Sequence, residues 1–154
     1  MSYSKAKDCL KNYDLEGRII EFPISTATVK LAAEALGVSD GEIAKSMAFY
    51  INEEAILVIS AGDKKIDNSK YKKYFKIKAR MVPFEEVESV IGHKSGGVCP
   101  FGINENVKVY LDESLKKYFY VYPACGTANT AVKLSIEDLE KASNYTSWID
   151  VCKE

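Results

Sequence analysis

The chain has 154 residues, of which 47% are hydrophobic and 28% are charged, and its formal net charge is -1 at pH 7. This composition excludes the disordered class, and the length suits one folded domain over residues 1–154. No segment has the apolar length of a membrane span, and the first residues lack the pattern of a signal peptide. We therefore expect a cytoplasmic protein that has no membrane partner.

Hydrophobic periodicity and turn residues divide the chain into about five helices and six or seven strands. In chain order the patterns predict a helix over 4–12, a strand over 18–22, a helix from the N-cap Ser25 to Gly37, strands over 45–51 and 55–62, a helix through Tyr74, a strand over 76–82, a helix over 84–92, strands over 107–111, 118–124 and 131–135, and a helix over 136–143. This mixed order predicts an α+β domain with a mixed, largely antiparallel sheet. Closure of the sheet into a barrel stays open.

Lys45 begins a strand whose alternation places it on one face with Met47, Phe49 and Ile51. One interpretation is a strand-end lysine whose ammonium reaches water while its stem covers apolar surface. The other is a charge that faces the interior and therefore requires an anion or a wet cleft. A phosphate group could supply that anion.

Residues 64–80 form a basic block with eight lysine and arginine side chains against Asp67 alone, a local excess of seven positive charges. Such a block could meet a nucleic-acid backbone through charge attraction. The alternative is a solvated helix face that binds nothing.

The segment GHKSGGVCPFG, residues 92–102, combines four glycines with the only histidine of the chain, His93. His93 is either a polar residue after a helix end or a group that takes part in chemistry. Gly96 and Gly97 can turn successive N–H groups toward an anion or a carbonyl oxygen, and Pro100 would fix the far side of the loop.

The four cysteines are widely separated and form no C-x-x-C pair, so free thiols and no metal or other cofactor are expected. Cys99 could serve as a nucleophile only with a base beside it, and closeness in sequence does not establish a Cys/His pair. A second loop, ACGTANTA over 124–131, is either another wall of a pocket or an ordinary turn. Nucleotide-binding, zinc-protease and nucleophile-elbow motifs are absent from the sequence.

Three segments together resemble the YbaK/prolyl-tRNA synthetase-associated family of tRNA-editing domains. They are TATVKLAAEALGVSDGEIAKSMAF, GHKSGGVCPFG and YPACGTANTAVKLSIEDL, in the order and spacing of the family, over roughly residues 19–142. The resemblance implies a barrel-like mixed sheet surrounded by helices. It also implies a freestanding domain that hydrolyses mischarged tRNA, such as Cys- or Ala-tRNA(Pro) or tRNA carrying another small misloaded amino acid.

The resemblance also implies site residues and partners. Lys45 matches a lysine that is thought to hold the terminal adenosine phosphate, Gly96 to Pro100 matches a G-x-x-x-P loop, and His93 matches a histidine of some branches. The partners implied are the acceptor end of mischarged tRNA and, as a further candidate, an aminoacyl-tRNA synthetase. The residues expected in chemistry are Lys45, His93, Gly96, Gly97 and Pro100, and those expected to bind substrate are Phe22, Thr26, Val98, Cys99, Phe101, Gly102, Gly126, Thr127 and Asn129.

An aminoacyl ester is already activated, so positioned water and the substrate's own hydroxyl could hydrolyse it without a protein nucleophile. Two features depart from the family pattern: Cys99 replaces a serine of many relatives, and ACGTANTA differs from the Arg-Gly-rich form of the cysteine-specific branch. Two other functions stay open. One is a non-catalytic module that binds aminoacyl-tRNA or a synthetase, and the other is a small-molecule thiol hydrolase that uses Cys99.

Overall fold

The computed structural model describes residues 2–154, which form five α-helices and ten strands. The helices are α1 (Ser2–Lys11), α2 (Val29–Leu36), α3 (Asn68–Phe75), α4 (Val87–Ile91) and α5 (Ile136–Ser143). The strands are β1 (Ile19–Glu21), β2 (Ile43–Ile51), β3 (Glu54–Ala61), β4 (Lys65–Ile66), β5 (Lys108–Asp112), β6 (Tyr120–Pro123), β7 (Thr130–Val132), β8 (Leu134–Ser135), β9 (Ser147–Ile149) and β10 (Cys152–Lys153). No helix within residues 2–154 is long and apolar enough to cross a membrane.

Six strands form one sheet in the order β8-β6-β2-β3-β5-β9, and β1 pairs with β7 and β4 with β10 in two small sheets. Four of the seven pairings are antiparallel, and the three parallel ones lie in the six-stranded sheet. The sheet is mixed and curls into a half-barrel, which confirms the predicted α+β class and the family's barrel-like sheet.

The central strand β3 is buried on both faces, as its continuous apolar sequence predicts. Leu57 and Ile59 point into the larger core, which α1, α4 and α5 help to form. Ile56 and Val58 point into a second core on the other face, where Tyr71 of α3 lies fully buried. The β2–β3 hairpin separates these two cores and carries residues into both.

The ends of α2 show one correct and one wrong prediction. Gly37 ends the helix in the left-handed conformation, with φ of 72°, as predicted. The N-cap is Thr28, whose side chain accepts from the N–H of Leu31, and not Ser25. Residues 25–28 stay outside the helix because Thr26 instead donates its N–H to the carbonyl of Ala128.

Two strand predictions are wrong, the first because its segment meets β2 at a single bridge and the second because its two halves pair with different strands. Residues 76–82 form no strand, and only Met81 makes a bridge, to Phe49. The predicted strand over 131–135 is two strands in different sheets: β7 pairs with β1, and β8 pairs with β6. The sequence predicted neither β4 nor β9 nor β10, which have two or three residues each and depend on distant partners.

Candidate functional site

A cavity of about 380 Å³ lies beside β2 where β6 leaves it. β6 pairs with β2 only at Ile43 and Ala44, and the next pairing on this edge is the bridge between Phe49 and Met81. Residues 45–48 lie in the gap between these pairings and line the cavity. The cavity therefore occupies an interruption in the edge pairing of a long strand.

Four further segments complete the cavity: the start of α2, residues 81–87, the loop after α4, and the end of β6 with the start of β7. Gly96, in the loop after α4, lies between the segment before α2 and the loop that joins β6 to β7. A Cβ on this glycine would lie 3.4 Å from Cβ of Ala27 and 3.6 Å from Cβ of Ala128. The fold thus brings the first glycine of the G-x-x-x-P loop into the same cavity as Lys45.

Small apolar side chains form much of the cavity lining. Six alanines line it, at positions 27, 32, 44, 48, 124 and 131. No aspartate or glutamate of the described chain lines it, and Lys45 is its one charged lining residue there. The site is therefore suited to a compact ligand group that is neutral or negatively charged.

Lys45 is half-buried, and its ammonium donates to the main-chain carbonyl of Lys64. The predicted alternation is confirmed, because Met47 and Phe49 pack together in the second core on the same face. Burial lowers the pKa of the Lys45 ammonium, since the charged form loses water around it. A charge held by one carbonyl at the edge of a cavity can exchange that carbonyl for an anionic ligand.

Gly97 holds the glycine loop against the second loop and does not line the cavity. Its N–H donates to the carbonyl of Lys94, and its own carbonyl accepts from Gly126 N–H, both over 3.0 Å. A Cβ on Gly97 would lie 2.5 Å from the main-chain carbon of Gly126 and from the nitrogen of Thr127. Since the Gly97 N–H is already paired, the loop residues that line the cavity and can present main chain to a ligand are Ser95, Gly96 and Val98.

The second loop is joined to the segment before α2 by hydrogen bonds. The N–H of Phe22 donates to the carbonyl of Asn129, and Nδ2 of Asn129 donates back to the carbonyl of Phe22, over 2.8 and 3.0 Å. The hydroxyl of Thr127 pairs with that of Thr130 over 2.8 Å. The three residues expected to bind substrate, Phe22, Thr127 and Asn129, therefore lie outside the cavity lining. Their hydrogen bonds hold the loop and the segment before α2 together.

Helix α1 supports both loops from outside the cavity. A Cβ on Gly126 would lie 2.6 Å from the carbonyl oxygen of Ser2, and one on Gly102 would lie 2.4 Å from that of Lys5. Both glycines have positive φ, of 87° and 68°, so neither position suits a side chain. Their closeness to α1 accounts for two of the glycines that the sequence analysis had attributed to substrate binding.

His93 is fully buried beneath the glycine loop and lies outside the cavity lining. Its Nε2–H donates to the carbonyl of Phe101 over 2.6 Å, and its Nδ1 has no partner among residues 2–154. Burial lowers the pKa of the imidazole, which favours the neutral form. This placement gives His93 a structural role and no contact with a ligand in the cavity.

Replacing His93 with glutamine should remove a pH dependence of stability. The buried imidazole has a pKa below the unfolded value of about 6.5, so the unfolded chain binds the extra proton as pH falls below that value. Wild type should then lose stability relative to His93→Gln, by at most about 1.4 kcal/mol per pH unit. Urea unfolding of both proteins from pH 5 to 8 measures this difference. Parallel curves across that range would contradict the prediction.

Cys99 lies beside His93, with 3.5 Å between Sγ and Nε2, but both side chains are fully buried. Burial raises the pKa of the Cys99 thiol far above its usual range, which disfavours the thiolate. Phe101 is fully buried as well. Pro100 and Gly102 line a different depression, near Asn144. Of the site residues that the sequence analysis named, Lys45, Gly96, Thr26 and Val98 line the cavity, whereas His93, Gly97, Pro100, Phe22, Cys99, Phe101, Gly102, Gly126, Thr127 and Asn129 do not.

Sequence reasoning missed several lining residues, among them Ser46, Val82 and Phe84. Phe84 and Met81 lie at the rim with 76% and 62% of their surface exposed, which is unusual for large apolar side chains. The only sequence signal for Ser46 is its place between Ala44 and Ala48, on the face opposite to Lys45. Val82 lies within residues 76–82, which were predicted as a strand but form none, and Phe84 comes shortly after them.

The basic block leads toward this rim. Lys72, Lys73, Lys76, Lys78 and Arg80 are exposed on α3 and on the segment that follows it, and Met81 comes next in the chain. Lys70 pairs with Asp150 over 3.2 Å, and Lys64 pairs with Glu154. Most of the positive charge is therefore solvent-facing and adjoins the cavity mouth, so both interpretations of the block stay open.

Comparison with known proteins gives consistent matches over most of the chain. The model of the aminoacyl-tRNA editing domain matches residues 24–142. YwhH, an uncharacterized protein of Bacillus subtilis, is 44% identical over 155 residues, covering 100% of this chain and 99% of its own. EbsC of Enterococcus faecalis, provisionally named a Cys-tRNA(Pro)/Cys-tRNA(Cys) deacylase, is 25% identical over 114 residues, or 73% of this chain and 70% of its own. A crystal structure provisionally named a trans-editing enzyme for prolyl tRNA synthetase superposes with a TM-score of 0.88, at 29% identity, over 99% of this chain and 98% of that one.

Proposed function

The chain belongs to the aminoacyl-tRNA editing domain family, and on this premise we propose that it is a deacylase that hydrolyses the ester of mischarged tRNA in trans. The tRNA-editing role follows from the family, and the reaction and its substrates are the proposal. The observation that carries it is the single cavity lined by Lys45 and by Gly96 of the glycine loop. These two residues come from distant parts of the chain, and the small apolar lining of the cavity suits the short side chain of a small aminoacyl group.

In the proposed reaction Lys45 exchanges the carbonyl of Lys64 for a phosphate near the 3′ end of the tRNA. The ammonium then fixes the terminal adenosine, and the small aminoacyl group lies among the alanines of the cavity. Main-chain N–H groups at Gly96 and Val98 are the candidates to stabilise the negative charge that develops on the ester oxygen. Water attacks the ester carbonyl carbon, the bond to the ribose oxygen breaks, and the products are the free amino acid and the tRNA hydroxyl.

The size of the cavity supports small amino acids as substrates. A synthetase separates side chains that differ by one methylene only about 10- to 200-fold, and a second site that admits only small products can remove the errors. The alanines that line this cavity suit such a second site. The name of the matching crystal structure makes prolyl-tRNA synthetase the first candidate partner, and the exposed lysines beside the rim are the candidate contacts for the tRNA backbone.

A panel of mischarged tRNAs tests the proposal directly. The purified protein should release amino acid from at least one tRNA that carries a small misloaded residue, faster than spontaneous ester loss. The panel pairs each of several small amino acids with tRNA(Pro) and with one unrelated tRNA. If every ester decays at the spontaneous rate while the protein binds charged tRNA tightly, the chain is a non-catalytic binding module instead. That alternative has some support, because Lys45 and Gly97 already have internal partners.

Changing Cys99 to serine should leave deacylase activity at the level of wild type. Cys99 is fully buried and lies outside the cavity, and serine keeps a group that can pair with the carbonyl of Phe101. Loss of a true nucleophile would lower the rate by several orders of magnitude. Single-turnover rates of Cys99→Ser and wild type on the same mischarged tRNA measure the difference. A collapse of the rate in a variant that still melts like wild type would support the thiol-hydrolase alternative.

A further inference from the structure

The ammonium of Lys45 depends on one short turn for its place in the protein. Its single hydrogen-bond partner within residues 2–154 is the main-chain carbonyl of Lys64. Lys64 lies in the turn between β3 and β4, outside the six-stranded sheet that carries Lys45. A lysine side chain is a flexible four-carbon stem, so the contacts that fix this carbonyl also fix the ammonium.

Residues 150–154 hold this turn. β4 pairs with β10 in a separate two-stranded sheet. The N–H of Asp67 donates to the carbonyl of Val151 over 2.8 Å, and the ammonium of Lys64 forms an ion pair with the carboxylate of Glu154. Three kinds of contact from one segment therefore hold the residues that carry and follow the Lys64 carbonyl.

The same segment has an anchor in the core that does not involve Lys45. Val151 is fully buried in the second core, and its N–H donates to Oδ1 of Asp112 over 2.9 Å. Asp112 is the last residue of β5, which belongs to the six-stranded sheet. A path of hydrogen bonds thus leads from β5 through residues 150–154 and the turn back to the ammonium of Lys45.

A turn fixed in this way prepares Lys45 for an anionic ligand. A lysine side chain loses rotamer freedom when it is held in one position, and this loss weakens binding if it occurs only when the ligand arrives. The Lys64 carbonyl holds the ammonium at the edge of the cavity beforehand. Because an ammonium has three N–H donors, a phosphate can bind before the carbonyl is released.

We propose that residues 150–154 are a positioning element for Lys45, which they hold through the turn at Lys64. The inference rests on the proposed deacylase function and extends it to residues outside the matched editing-domain range of 24–142. None of the five residues lines the cavity. Loosening the segment should therefore free the ammonium, and weaken binding of the substrate phosphate, without changing the cavity walls.

A double-mutant cycle with Lys45→Ala tests the positioning role. Deletion of residues 152–154 removes β10 and keeps the buried Val151. It should weaken binding of a tRNA that carries alanine through a non-hydrolysable 3′-amide about 10- to 30-fold, which corresponds to the side-chain freedom of one lysine. In the Lys45→Ala background the deletion should have no further effect, because the positioned group is absent. Fluorescence titration of the four proteins measures the affinities, and thermal melting shows whether each is folded.

Glu154→Gln keeps β10 and decides the question if the deletion does not fold. It removes one exposed ion pair with Lys64 and should weaken binding of the same tRNA about 2- to 5-fold, again only while Lys45 is present. Glu137→Gln is the matched control. It changes the net charge equally by removing a carboxylate that pairs with Lys141 over 3.1 Å on α5, and it should leave the affinity unchanged.

Two results would overturn the inference. An equal loss of affinity with and without Lys45 would mean that the segment supports the fold and not the lysine. Tighter binding after the deletion would mean that the Lys64 carbonyl only competes with the phosphate. The readout is separate from the proposed function, because the amide analogue is not hydrolysed. Affinities that follow the cycle in a protein that hydrolyses no mischarged tRNA would support the positioning role and refute the deacylase, whereas deacylation with affinities that neither folded variant alters would refute the positioning role alone.

Discussion

Lys45→Ala should lower kcat/KM for deacylation about 10²- to 10³-fold, the usual cost of removing one preorganised electrostatic contact from an active site. The ammonium is the only positive side chain that lines the cavity within the described residues. Its loss leaves the substrate phosphate without an anchor, so the ester is no longer held beside Gly96. Steady-state and single-turnover rates on the best substrate of the tRNA panel measure the effect.

The same change should leave stability intact. The lysine is half-buried and bears a desolvation cost that a single carbonyl partner offsets only in part, so alanine at this position should unfold at the same or a higher urea concentration. Lys65→Ala is the matched control, because it removes an exposed positive charge nearby without touching the cavity. Full activity in a folded Lys45→Ala protein would remove the lysine from the mechanism, and an equal loss in both variants would reduce its role to general charge attraction.

Gly97→Ala should impair both stability and activity. The added Cβ would lie 2.5 Å from main-chain atoms of Gly126 and Thr127, and neither loop can yield as a flexible side chain would. We expect a loss of about 1–3 kcal/mol in unfolding free energy, the usual cost of overpacking. The displaced loop carries Gly96 with it, and a misplacement of about 1 Å in an active site can cost roughly 10²-fold in rate. Urea unfolding and deacylation rates, measured on the same preparation, check both effects.

Gly17→Ala is the control for this second prediction. A Cβ on Gly17 would meet nothing within 4 Å, so the variant introduces the same methyl group without a clash. Its stability should match or slightly exceed that of wild type, because alanine restricts the unfolded chain more than glycine does. A Gly97→Ala protein as stable and active as Gly17→Ala would show that the contact between the two loops does not position the site.

The sequence predicted the β2–β3 hairpin and the face of Lys45 because alternation along a long strand is a local property. It could not predict β9 or the bridge at Met81, which depend on partners far away in the chain. The resemblance matched both Lys45 and the glycine loop to site residues of the family, and Lys45 and Gly96 line the same cavity. It could not tell which side of that loop faces the cavity, so His93 and Cys99 were expected at the site although they lie buried behind it.

Ser46 shows a different limit. A serine flanked by alternating apolar residues has no signature in one sequence, so its place in the cavity lining appears only in the structure. The opposite error concerns Thr127 and Asn129, whose polar side chains suggested ligand binding but are used to join the loop to Phe22 and Thr130. The polar side chains of Thr127 and Asn129 therefore fix the conformation of the loop and do not line the cavity.

The contact of α1 with Gly102 and Gly126 bears on any attempt to move this activity into another protein. The matched editing-domain residues begin at position 24, after the helix that supports both loops. A graft of residues 24–142 into a host scaffold would transfer the walls of the cavity without α1, the helix that packs against both loops. The host protein would have to pack its own main chain against Gly102 and Gly126, so closely that neither position has room for a side chain.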